Sequence, residues 1–216
     1  MAVAPLNKFL TFAVPVAPGE QTVYTTPVGV SAILLYAQAS NVGIGTTYPK
    51  ITLTHRRKTI KSGNVRNNRA VKQAEVPPND SLIIIDGRLV LERTALITDS
   101  LVISGVQAGI ISITNCKYDN NTGITTITTI SNHNFSVGDE ITMSGLAFTC
   151  GSTSGLTTTI YPSPQASFTV TQVVGVTTFV TNTGVVAGIA HTYVSGGQVG
   201  PLQMEFICSI LENSTA

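Results

Sequence analysis

Apolar side chains recur on every second residue near the end of the chain: Leu202, Met204, Phe206, Cys208 and Ile210. Period 2 puts all five on one face of a β-strand, and a strand with one buried face needs partners. Earlier segments read alike. Residues 9–16, 21–25, 30–39, 50–55 and 96–104 alternate or run apolar between turn signals. Residues 81–85 are predicted as a buried strand, with Asp86-Gly87 as a tight turn before a short strand at 89–91. From about 109 to 200 the texture becomes Thr- and Gly-rich. Six short strands are predicted there, at 110–117, 124–130, 141–144, 167–174, 177–182 and 191–194, with a turn at 137–140 and a loop at 151–155. Turns at this spacing, with no helical period, predict an all-β chain.

The change in texture predicts two domains. Residues 1–108 plus 201–216 form a β-sandwich, Ig-like or jelly-roll-like, and residues 109–200 form a small β-barrel or sandwich inserted between two of its strands. The C-terminal strand then returns to pair with the first domain.

Composition agrees with strands. Of 216 residues, 43% are hydrophobic, only 11% are charged, and Trp is absent. Charge is uneven: residues 1–108 hold 11 basic and 6 acidic groups, residues 109–200 only 1 and 3. No apolar run approaches the length of a membrane-spanning helix, and the N-terminus lacks the charged and apolar regions of a signal peptide. Cys116, Cys150 and Cys208 follow no metal-binding or redox spacing, so free buried thiols and a reducing compartment of synthesis are expected.

The feature most suggestive of function is a basic run. Arg56, Arg57, Lys58, Lys61, Arg66, Arg69 and Lys72 occur with no acid among them. Contact with an acidic face of another subunit is the favoured reading; a plain solvated loop and a nucleic-acid surface are the others. No aromatic lies between Tyr48 and Pro77 to stack on bases, so nucleic acid is not expected as a partner. Catalytic chemistry finds no foothold. No serine sits in a Gly-x-Ser-x-Gly elbow. The Gly-rich stretch 41–45 precedes a strand instead of a phosphate-holding helix, and no carboxylate pair stands out. His133, Gly138 and Asp139 are read as parts of a structural turn, with His133 bonding backbone and Asp139 capping through its own backbone. No catalytic residue, metal or cofactor is expected.

One segment is familiar. Residues 131–145, Ser-Asn-His-Asn-Phe-Ser-Val-Gly-Asp-Glu-Ile-Thr-Met-Ser-Gly, are similar to a His-x-Phe/Leu-Ser-Val-Gly-Asp stretch that recurs in structural proteins of tailed phages. Residues 167–171 and 176–180 match its continuation. The end at 191–197, His-Thr-Tyr-Val-Ser-Gly-Gly, resembles virion proteins of T4-like marine cyanophages, as does 81–92. The resemblance implies a multi-copy, non-enzymatic virion component (head decoration, neck or tail) made in the host cytoplasm. Its implied partners are other virion proteins and copies of itself. With 11 of the 12 basic groups, the first domain is expected to dock and the insert to face outward. The alternative is a fibre module binding a host-surface receptor or carbohydrate. Sugar sites stack an aromatic, and the insert offers only Tyr118, Tyr161 and Tyr193. A depolymerase would need two neighbouring carboxylates.

Overall fold

The computed structural model describes residues 7–152, 155–160, 166–185 and 190–214, the side chains of 150–152 and 155–160 excepted. The described residues form strands and no helix: β1 (Asn7–Pro15), β2 (Gly19–Thr25), β3 (Val30–Asn41), β4 (Lys50–Thr59), β5 (Val65–Glu75), β6 (Ser81–Glu92) and β7 (Ile97–Val106). There follow β8 (Ile111–Tyr118), β9 (Ile124–Thr129), β10 (Glu140–Ser152), β11 (Gly155–Ile160), β12 (Ser167–Gly175), β13 (Thr178–Asn182), β14 (Ala190–Pro201) and β15 (Met204–Ser214). They divide into two compact units. One holds residues up to Val16, Glu20–Val106 and everything from Gln203; the other holds Ala17–Gly19 and Gln107–Leu202. The junctions differ slightly from those expected at 108 and 201, and local bonds explain why. Leu202 N–H donates to Glu140 O, while Gln203 O accepts from Val42 and Gly43 N–H. Ser144 Oγ donates to Pro18 O, which draws Ala17–Gly19 to the second unit.

The first unit is two four-stranded sheets, β1-β15-β3-β6 and β2-β7-β4-β5. Counting β15 as its eighth strand, the orders are 1-8-3-6 and 2-7-4-5, which define a jelly roll. β15 pairs along its length with β1 and β3, with Phe206 opposite Val14 and Ala39. Its alternation appears from Met204 onward, while Leu202 lies before the strand and belongs to the second unit. Met204, Phe206, Cys208 and Ile210 are fully buried. They meet Ala32, Leu34, Ala37, Ala39 and Leu91 of their own sheet and Ile51, Leu53, Leu101 and Ile103 of the other. Burying a side chain as large as Phe206 contributes about 1.5–3 kcal/mol.

β3 does not alternate strictly. Leu35 is an extra residue relative to β15, since Ile210 faces Leu34 and Ser209 faces Tyr36. The bulge shifts the phase, so Leu34 and Ala37 both point inward. Asp86-Gly87 makes no turn. Both halves of 81–92 pair with β3 instead of with each other, and the dipeptide sits at an irregularity in one continuous strand. Nor are residues 81–85 buried. β6 is an edge strand, and Ile83 is 56% exposed.

In the second unit, β10 pairs with β12 through Glu140–Thr142 and with β14 through Ile141–Gly151. The order β10-β12-β13-β9-β8-β14 therefore returns to β10 and closes a six-stranded barrel. Closure removes free edges. The six predicted strands are the six in the ring, but β10 and β14 run much longer than their apolar segments suggested. Gly151, Ser152 and Gly155 belong to the paired strands β10 and β11 and are not a loop. β14 bends at Gly196-Gly197: φ at Gly197 is 102°, and a Cβ there would stand 2.7 Å from Leu146 Cγ, so only glycine fits. Phe148, Phe179, Ile127, Ile141, Met143 and Leu146 fill the interior. Cys116 and Cys208 are free and buried, and burial pushes both thiols up to about 12. The Cys150 side chain and Tyr161 lie outside the described residues.

Candidate interaction surfaces

The seven basic residues lie on or between two strands of the β2-β7-β4-β5 sheet. β4 is internal and β5 is an edge, so strand alternation separates the charges. Ile51 and Leu53 point into the core, and His55 and Arg57 continue that phase. On β7, Asp99 is in phase with the buried Leu101 and Ile103, and it pairs directly opposite Arg57.

Asp99 is fully buried. Arg57 Nε and Nη2 each donate to its carboxylate at 2.7 Å, and Glu92 N–H donates at 3.0 Å. His55 Nε2 lies 3.0 Å from Asp99 Oδ2 without the aim of a hydrogen bond. Burial alone would raise the Asp99 carboxyl, but Arg57, the Glu92 N–H and His55 outweigh it and hold the group below its usual value. The same bond raises Arg57. Arg57 also reaches Glu92 at 3.1 Å. Its charge is thus engaged within the jelly roll, and it seals one end of the interior.

Arg56, Lys58 and Arg69 fall on the opposite, outer face. Arg69 and Lys72 line a polar depression of about 180 Å³ with Glu20, Thr52, Thr54, Asn67, Gln73 and Ser104. Arg56 donates to Glu20 at 2.6 Å and to Asn67 at 3.0 Å. Lys61 lies in the β4–β5 turn, and Arg66, exposed on β5, donates to Asn68 Oδ1 at 3.2 Å. β5 is bulged twice, and Gln73 has a φ of 50°. Charges and bulges on an edge strand also discourage pairing with a stray strand, so part of this basicity protects the sheet itself.

The outer face of β1-β15-β3-β6 differs. Cross-strand pairs set it out in rows: Thr11, Ser209, Tyr36, Asp86; then Ala13, Ile207, Gln38, Ile83; then Pro15, Glu205, Ser40, Ser81. Tyr36 O–H donates to Gln38 Oε1, and Gln38 Nε2 donates to Ser40 Oγ at 3.1 Å. Ser40 and Ser81 hydroxyls share a bond of 3.1 Å. A cleft of about 450 Å³ opens beside this chain of bonds. The sequence signal for it was faint, because Tyr36, Gln38 and Ser40 read as the solvent side of an apolar strand.

His133, Gly138 and Asp139 lie on one connecting segment of the barrel but dock at two places, His133 at the β12–β13 turn and Gly138 and Asp139 at Val170 of β12. His133 is buried, its Nδ1 accepts Phe135 N–H at 2.9 Å, and Nε2 therefore carries the hydrogen that meets Gly175 O at 3.0 Å. The ring stacks on Phe135 and meets Phe179 edge-on. With both nitrogens on backbone, the imidazole has no lone pair for a substrate or metal. Asp139 Oδ2 accepts Ser136 N–H at 2.8 Å. Gly138 N–H donates to Val170 O, and Val170 N–H donates to Asp139 O, both at 2.9 Å, docking the turn on β12. Among the described residues, no three His, Cys, Asp or Glu side chains cluster as a metal site requires.

The strand order defines the class: an eight-stranded jelly roll carrying a six-stranded barrel between its last two strands. No protein-family model matches the sequence, and no curated protein matches it. Two solved structures are distantly similar. The tandem CBM22 domains of Paenibacillus barcinonensis Xyn10C align at 9% identity over 98% of this chain and 94% of theirs, with a TM-score of 0.25. The stem and receptor-binding domain of the spike protein P1 of bacteriophage PM2 aligns at 9% identity over 99% of each chain, with a TM-score of 0.23.

Proposed function

We propose that this chain is a non-enzymatic structural component of a tailed-phage particle, present in many copies, with its jelly roll docked on other virion proteins and its barrel facing solvent. The supporting observation is the basic outer face of β2-β7-β4-β5, where Lys58, Arg69 and Lys72, with Arg56 paired to Glu20, stand among hydroxyls and amides. Each exposed ion pair is worth only about 0–1 kcal/mol. Several on one face, repeated over a lattice of acidic sites, hold a subunit through avidity. The sequence resemblance to phage virion proteins points the same way.

Replacing Arg56, Lys58, Arg69 and Lys72 together by Ala tests this. The variant is expected to keep the wild-type melting temperature but to lose most of its occupancy on particles at physiological ionic strength. Wild-type protein should come off as salt is raised. Full occupancy of the variant removes this face from docking.

A further inference from the structure

We propose that the outer face of the β1-β15-β3-β6 sheet binds a neutral saccharide in the cleft over β15. Ala13 and Pro15 on β1 and Ile207 on β15 give the cleft an apolar strip, and Tyr36, Gln38 and Ser40 on β3 give it a polar wall, with Glu205 between. A pyranose ring has the matching division, an apolar C–H face and a rim of hydroxyls that both donate and accept. Gln38, the serines and the Tyr36 hydroxyl can do both as well, and Glu205 adds a carboxylate acceptor.

Three features favour this ligand over others. The Tyr36–Gln38–Ser40–Ser81 bonds already hold the polar wall in place, so little side-chain freedom is left to lose on binding. The cleft, about 450 Å³, lies in the range of small-ligand sites. Charge argues against anions: the residues lining the cleft include Glu205 and no Lys or Arg. Phosphates, sulfated glycans and nucleic acid are therefore disfavoured here and would go to the opposite sheet with its Arg69 and Lys72.

The site holds whether or not the jelly roll docks as proposed above, because the two faces belong to different sheets. The full chain is tested on an array of neutral and anionic oligosaccharides, and each hit is then measured by titration calorimetry. Wild type is compared with Gln38→Ala, Glu205→Ala, Glu205→Gln and Arg69→Ala, each first shown by its melt to be folded. Expected is binding of at least one neutral oligosaccharide, at least tenfold weaker in Gln38→Ala and Glu205→Ala, partly kept in Glu205→Gln and unchanged in Arg69→Ala. The inference is overturned if no neutral oligosaccharide binds at millimolar concentration or if the Gln38 and Glu205 variants bind as wild type. Binding limited to anionic glycans and lost in Arg69→Ala overturns it too.

Discussion

The jelly roll and the barrel both bury one face of their strands, yet they finish their interiors with different chemistry. The jelly roll presses aliphatic residues from two sheets together and seals one end with charge, the Arg57–Asp99 pair backed by Glu92 and His55. The barrel has four formal charges, Lys117, Asp119, Asp139 and Glu140. Its interior mixes aliphatic residues with rings, Phe135, Phe179 and His133 being in mutual contact. Several of its buried hydroxyls turn to backbone. Thr181 Oγ1 donates to Thr169 O at 2.8 Å and Thr129 Oγ1 to Ser131 O at 2.7 Å. The Thr-rich composition therefore serves more than strand propensity, since a buried hydroxyl must find an acceptor and the backbone supplies one without importing charge. It follows that acid should weaken the jelly roll through a buried carboxylate, Asp99. The barrel carries the exposed turn carboxylate Asp119, held below its usual value by the Asn121 N–H, and should fail chiefly through loss of packing or of a backbone partner.

The largest effects expected come from Phe206→Ala and Phe179→Ala. Both rings are fully buried, and each truncation should cost about 3–5 kcal/mol. Thermal melts should show Phe206→Ala lowering the jelly-roll transition and Phe179→Ala the barrel transition. A single transition lowered equally by both would mean that the units unfold as one and would blunt the contrast drawn above.

Arg57→Ala is expected to cost the jelly roll about 2–3 kcal/mol, because Asp99 stays buried without its two-pronged partner. The figure is set below that of a fully buried pair because the guanidinium is about a third exposed. The pH dependence has a definite sign. The Asp99 carboxyl is held below its ordinary 3.8 in the fold. Its contribution is complete above 3.8 and is lost as pH falls through the lower folded value. Wild type should thus lose more stability than Asp99→Asn when melts are taken from about pH 5 down to about pH 2. Parallel curves for the two proteins would show that the pair is not what acid breaks.

The smallest effect is on the barrel turn. His133→Ala removes the acceptor of Phe135 N–H and the donor to Gly175 O, a loss of about 1–3 kcal/mol. Chemical denaturation should show the barrel weakened and the jelly roll unmoved. An unchanged barrel would mean that water replaces the ring at no cost.

Several features were legible in the sequence because strand geometry is local. Side chains alternate with the backbone pleat, so the period at 204–210 was enough to orient Met204, Phe206, Cys208 and Ile210. The same rule applied to 96–104 puts Leu101 and Ile103 on one face with Asp99 in phase beside them. The motif around His133 was also readable, since its bonds reach backbone only two or three residues away at Phe135 and Ser136; its bond to Gly175 was not.

Tertiary structure alone decided the rest. That Arg57 meets Asp99, 42 residues on, depends on the register of β4 against β7, and a slip of one residue would put the two on opposite faces of the sheet. Alternation divides Arg56 from Arg57, but only the packing of the two sheets decided that Arg57 is the one turned inward. Asp86-Gly87 had the residues of a hairpin turn, but both flanking segments gained more by pairing with β3 than with each other. The Tyr36–Gln38–Ser40–Ser81 wall needs β6 beside β3, and the cleft beside it exists only because β15, more than 160 residues further along the chain, lies between β1 and β3. A local pattern carries the period of a strand and the face it buries. Which strands become neighbours is chosen by the combined fit of both sheets, and no single stretch of sequence contains that sum.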